Sequence, residues 1–187
     1  CSPAESWESE YTAIIPTEQT PLANSVDPKA HLLKTAGPVY VQNGVADKIN
    51  MTHQVAYGKM TVNGVGFEID HVVIDLKGSF FGSAREFSYT INADNVENNT
   101  FWFATEPIDV AEFTVTAYDA EDNAVAKTVD VAAAGKTLKF QYGRVSTFSV
   151  SDLKVVEVPT VPAFTSAKWT NSSKTDKFIQ FYSDELG

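Results

Sequence analysis

Cysteine is almost missing from this chain: one residue in 187, at position 1. An internal disulfide is therefore excluded, and no second thiolate supports a structural zinc site. No run of about 18 apolar residues occurs, so nothing reads as a membrane-spanning helix. No stretch resembles a charged n-region followed by an apolar h-region, which fits a cytoplasmic protein or one whose signal has been removed. H-x-H, H-E-x-x-H and G-x-S-x-G are all missing, so no motif marks a metal ligand set or a serine nucleophile. Basic residues are few, 14 against 24 acidic ones, for a net charge of −10. Between Glu86 and Ala126 there are nine acidic residues and no Lys or Arg. Such a surface repels phosphate backbones and argues against nucleic acid as a partner. It reads as a solvated acidic surface.

Apolar material is ample: 43% of residues, including 12 Phe, 7 Tyr and 3 Trp, enough for a real core. Its arrangement is of period two. Phe113, Val115 and Ala117 alternate with Thr114, Thr116 and Tyr118, and "DAEDN" (Asp119–Asn123) follows as a turn before Val125, Val129 and Val131. Phe87, Tyr89 and Ile91 alternate with Ser88 and Thr90, "TFWF" (Thr100–Phe103) is an aromatic strand, and Leu138, Phe140 and Tyr142 form another. "RVSTFSVSDLKVVEV" (Arg144–Val158) reads as one long strand. A phase change near His71–Val73 predicts a bulge or a strand buried on both faces, closed by Lys77-Gly78. No window carries a 3.6-residue period, although Asp27–Ala36 has room for one helical turn. About seven to eight strands with turns roughly every ten residues predict an all-β sandwich or barrel.

His53 and His71, with Glu68, Asp70 and Asp75 nearby, are the first place to look for chemistry. Alternation puts Asp70 and His71 on opposite faces, and His53 on a face with Met51 and Val55. That pattern predicts a packed histidine rather than a metal ligand, and His31 joins the other two only through tertiary folding. Asn63-Gly64 is a hairpin turn without a following helix, so it is not a phosphate loop. "DAEDN" lacks the glycine and glutamate of an EF-hand loop. Trp7, Trp102 and Trp169 are candidates for stacking on sugars, with packing the simpler role. No catalytic residue, metal or cofactor is expected.

Residues 1–28 hold five acids and no base, with Pro3, Pro16, Pro21 and Pro28 breaking any helix. A first-residue Cys followed by Ser-Pro-Ala-Glu-Ser resembles a processed bacterial lipoprotein, with Cys1 as the lipidated residue. The acidic stretch behind it resembles export signals of surface lipoproteins in Bacteroidales. "ADKINMTHQVAYGKMTVN" (Ala46–Asn63), "VVIDLKG" (Val72–Gly78), "FWFATEP" (Phe101–Pro107), "EFTVTAYDAEDNAVAKTVDV" (Glu112–Val131) and "KTLKFQYGRVSTFSVSDL" (Lys136–Leu153) follow one another in the order seen in the fimbrillin-like proteins of Bacteroidales, the type V pilins and their relatives. The resemblance covers about residues 40–157.

That resemblance implies a transthyretin-like Greek-key sandwich and export as a lipoprotein to the outer membrane. It also implies a role in adhesion or fimbrial assembly, as an anchor, tip or accessory subunit rather than an enzyme. The organisation expected is an acidic tether and first edge segment (1–39), a sandwich (40–158), and a Pro-containing linker with a C-terminal tail strand (159–187). Polymerising members of the family lose an N-terminal segment, and a neighbour's strand fills the vacated groove by β-strand addition. Residues 1–40 contain no Arg, so arginine-specific processing is unsupported. In the tail, Lys177, Phe178, Ile179, Gln180, Phe181 and Tyr182 have strand character. They are an added edge strand of their own sheet, the segment exchanged with a pilin or accessory subunit, or the start of a further domain. Other expected partners are a host or glycan ligand and, through the lipid alone, the membrane. The competing expectation is a carbohydrate-binding lipoprotein of a glycan-uptake system.

Overall fold

The computed structural model describes residues 14–37, 39–46, 49–156, 166–170 and 178–182. The chain divides into two compact units, Cys1–Val156 and Glu157–Gly187. The first unit begins with short strands: β1 (Glu18–Gln19), β2 (Leu33–Thr35), β3 (Val41–Gln42), β4 (Val45–Ala46) and β5 (Met51–His53). Its main strands are β6 (Ala56–Val62), β7 (His71–Phe80), β8 (Ser83–Asn92), β9 (Thr100–Thr105), β10 (Ile108–Tyr118), β11 (Ala124–Asp130), β12 (Leu138–Phe140), β13 (Val145–Val150) and β14 (Lys154–Val155). The second unit supplies β15 (Ser166–Thr170) and β16 (Phe178–Tyr182). Among the described residues the one helical piece is the 3-10 turn Pro28–Ala30, N-capped by Asp27, inside the stretch with room for a helical turn.

The fold is all-β, as the alternation predicts. A seven-stranded sheet has the order β1-β8-β7-β10-β11-β14, with β12 also on β10; a three-stranded sheet has the order β13-β6-β9. The two share one core. Met60 and Val62 on β6 and Phe101 and Phe103 on β9 meet Val72, Ile74 and Leu76 on β7 and Phe113, Val115 and Ala117 on β10. Each is one member of an alternating set, so each strand buries one face of its pleat. At roughly 25 cal/mol per Å² of apolar area removed from water, this shared interior is the main source of stability.

Two glycines are explained by close approach. A Cβ on Gly58 would overlap the Phe103 ring, and one on Gly78 would overlap the Asp109 carbonyl. Gly58 therefore sits within a regular strand and makes room for a fully buried core ring. Gly78 does not close its strand; β7 continues to Phe80.

The bulge lies elsewhere than at His71–Val73. Residues 63–70 are loop, and β7 alternates regularly from its start, with Val72, Ile74 and Leu76 inward. The register instead shifts in β10 between Val110 and Glu112. The extra residue, Ala111, lets Val110 and Phe113 both point inward. It also divides the edge of β10 between two partners: β11 pairs with Glu112–Tyr118 and β12 with Ile108–Val110.

The stretch read as one strand, Arg144–Val158, is two. β13 runs parallel to β6 in the three-stranded sheet, and β14 pairs with β11 in the seven-stranded one. Asp152, with φ +61°, lies in the corner between them. In the second unit, β15 and β16 pair antiparallel from Ser166↔Tyr182 to Thr170↔Phe178. The tail segment thus has a strand partner of its own in Ser166–Thr170. Lys177 and Cys1 lie outside the described residues.

Candidate functional site

The edges of the three-stranded sheet are built differently. At the β9 edge, the segment before the 3-10 turn bridges the two sheets. Its two-residue strand β1 runs parallel to β8, Glu18 opposite Thr90 and Gln19 opposite Ile91. The Gln19 side chain, fully buried, reaches the other way. Its Nε2 donates to the Ala104 carbonyl at 2.8 Å and to the Pro16 carbonyl at 3.1 Å, and its Oε1 accepts from the Ala104 N–H at 2.8 Å. One carboxamide thus satisfies both polar groups of a β9 residue, as a neighbouring strand would. Asp27, also buried, holds the segment's return by accepting from the backbone N–H groups of Thr20 and Lys29. Val26 and Ala30 then pack with Val55, Tyr57 and Ala104 in a second, smaller core.

At the opposite edge, β13 pairs with β6 and has no second ladder among the described residues. Beside it is an open groove of about 720 Å³ between β11 and β13, lined by apolar side chains such as Val129, Leu138 and Phe148 and by polar ones such as Lys136, Thr147 and Ser149. Lys127 spans it, donating from Nζ to the Ser151 carbonyl at 2.7 Å. Apolar side chains beside an edge strand are the two requirements for accepting an extended segment: backbone groups to pair and pockets for alternate side chains.

The outer face of the three-stranded sheet carries an aromatic cluster. His31 and His53 stack, centroids 5.4 Å apart, and both rings stand edge-on to Tyr57. His53 Nδ1 and the Tyr57 hydroxyl are hydrogen-bonded at 2.8 Å. Burial raises the Tyr57 pKa, so its phenol stays protonated at neutral pH. Lys59 lies over the neighbouring Trp102 ring, 5.0 Å from its centroid, and Trp102 Nε1 is buried with no partner. A small cavity of about 190 Å³ opens beside these rings, with Val26 and Val145 on its walls. His53 is not packed on a strand face with Val55. The strand breaks at Gln54, leaving His53 exposed and Val55 buried.

His71 is separate from that cluster. Its ring stacks on Tyr118 at 4.6 Å, and Nδ1 pairs with Asp70 at 2.9 Å. Asp70 lies in the loop before β7, so strand alternation does not keep it from its neighbour. Asp119 spends its carboxylate locally, accepting from the Asn123 side chain and from the N–H groups of Glu121 and Asn123. Those bonds, the Asn123 side chain first, lower its pKa. Among the described residues, no group of three or more His, Cys, Asp or Glu comes together in a metal-holding arrangement.

No family model, curated protein or solved structure matches this chain. Of the residues singled out from sequence, Phe178–Tyr182 form a paired strand, His31 and His53 meet, and His71 stands apart. Gln19 was missed; a glutamine in an acidic, Pro-broken segment gives no pattern that marks a buried strand mimic.

Proposed function

We propose that this chain is a surface protein of fimbrillin type, held at the outer membrane through a lipid on Cys1, acting in adhesion or fimbrial assembly without catalysis. Its sandwich has the transthyretin-like Greek-key connectivity of that group, and it joins pilin or accessory subunits by β-strand addition. One observation carries the reading: among the described residues β13 is an edge strand beside a large groove of mixed polar and apolar lining, while the opposite edge, β9, is capped at Ala104 by Gln19. A sandwich with one closed and one receptive edge can accept a strand without opening its core. Lys177–Tyr182 is the segment offered in return, its strand residues held as the partner of β15.

Purification of the full chain and of a variant lacking residues 160–187 from the native cell surface tests this. A partner subunit co-purifies with the full chain and not with the variant, whose sandwich still unfolds cooperatively. Recovery of the same partner with both forms refutes the tail's role, and recovery of the full chain from the cytoplasm refutes the surface assignment.

A second reading, a glycan-binding surface lipoprotein, is favoured by aromatic rings left in solvent. Phe81 is 93% exposed and Tyr142 54%. Fractionation does not separate the two readings; loss of the partner subunit on removing residues 160–187 does.

A further inference from the structure

The β7–β8 hairpin turns on two residues, Phe81 and Gly82, with φ of +48° and +81°. Positive φ at both central positions is the geometry that selects Asn-Gly or Asp-Gly, and a bulky side chain there is an outlier. Among the described residues the ring is also the most exposed of the large hydrophobics. Neither local conformation nor burial accounts for phenylalanine at this position, and strained residues of this kind cluster at binding sites.

The surroundings indicate what would bind. Phe81 packs against Phe80, centroids 4.3 Å apart, and Phe80 meets the Tyr142 ring edge-on at 6.2 Å. Ser83, paired with Phe80 in the ladder, and Gln141, next to Tyr142, are exposed hydrogen-bonding side chains. Nearby charges are paired with charges of opposite sign. Arg85, opposite Gly78, faces Glu106 at 3.9 Å, and Lys139 holds Asp109 at 2.8 Å. On a chain of net charge −10, this end presents aromatic faces, neutral donors and acceptors, and balanced ion pairs.

We propose that the Phe80–Phe81–Tyr142 tip is a recognition site for a neutral saccharide. The C–H face of a pyranose ring packs on the Phe81 ring, and its hydroxyls bond Ser83, Gln141 and the Tyr142 hydroxyl. A neutral sugar suits a site without excess charge, and an aromatic face is the usual platform for an apolar ring surface. A bilayer fits less well, because a single protruding ring flanked by Gly82 and Ser83 buries too little apolar area for stable anchoring. The proposal deepens the surface-protein reading and rests on it for its biological setting, but its test does not depend on localisation.

The purified full chain is titrated calorimetrically with cellohexaose, maltohexaose, mannohexaose and chitohexaose, and sedimented with phosphatidylcholine vesicles. At least one hexasaccharide is expected to bind. F81A and F81N weaken it by about tenfold or more, F81Y retains it, and the thermal midpoint of F81N holds or rises, because asparagine tolerates the left-handed turn. No binding by any of the four saccharides, or binding unchanged in F81A, overturns the proposal. So does vesicle binding lost in F81A without saccharide binding, which assigns the tip to a lipid surface. Fractionation of the chain to the cytoplasm removes the surface reading and leaves the saccharide result standing by itself.

Discussion

Replacing Gln19 with leucine tests whether the N-terminal segment is a structural part of the sandwich or a strand resting against it. The wild-type carboxamide makes three hydrogen bonds in a fully buried position, two of them to the backbone of Ala104 on β9. Leucine fills similar space but leaves the Ala104 N–H and C=O without partners. An orphaned buried polar group costs about 1–3 kcal/mol, and the apolar side chain recovers part of the loss. The net expectation is a destabilisation of about 2–4 kcal/mol. Urea unfolding followed by tryptophan fluorescence gives the midpoint and slope, and hydrogen exchange at Ala104 shows whether the edge has opened. Q19E sharpens the test. Its carboxylate accepts from the Ala104 N–H but faces two carbonyl oxygens, and burial raises its folded-state pKa above the unfolded value. Its stability relative to wild type is therefore highest in acid, below the unfolded pKa, and falls as pH rises through the folded one. A Q19L variant within 0.5 kcal/mol of wild type, with Ala104 still protected, refutes the reasoning.

Gly58→Ala forces the Phe103 ring to move and destabilises the sandwich by about 1–3 kcal/mol. Gly78→Ala meets the Asp109 backbone instead and costs more than Gly58→Ala in the same urea titration, since a carbonyl cannot swing away. Asp119 titrates below the ordinary carboxylate range by NMR, and N123A raises its midpoint, because the Asn123 side chain is the largest cause of the depression. Its contribution to the β10–β11 turn is present above the unfolded pKa and lost as pH falls through the folded one.

Much of the sandwich was legible because its strands bury one face. β10 and β11 follow from strict alternation around "DAEDN", and β9 follows from its run of aromatics. What stayed hidden depends on tertiary neighbours. Gly78 reads as a terminator but serves close approach to Asp109, so the end of β7 was placed too early. Ala111 is the bulge, and nothing in "DVAEF" distinguishes an extra residue from an ordinary outward one. Alternation continues across Ser151–Leu153, so a corner between two sheets reads as one strand. The edge strand in the N-terminal segment is Glu18–Gln19, and two residues are too few to carry a period. The histidine pair also escaped, since His31 and His53 meet only because the 3-10 turn docks beside the end of β5. Chemistry-bearing residue types were visible; their convergence was not.

The claim that this is a strand-accepting surface protein is tested most directly by photo-crosslinking in the native organism. A photoreactive residue is placed at Ser149, which is exposed and lines the groove beside β13. The account predicts a covalent adduct with a second polypeptide in the outer-membrane fraction, and loss of that adduct when the groove is blocked by F148E in a chain that still folds. A chain that reaches the outer membrane yet gives no intermolecular adduct, or gives the same adduct with F148E, contradicts it.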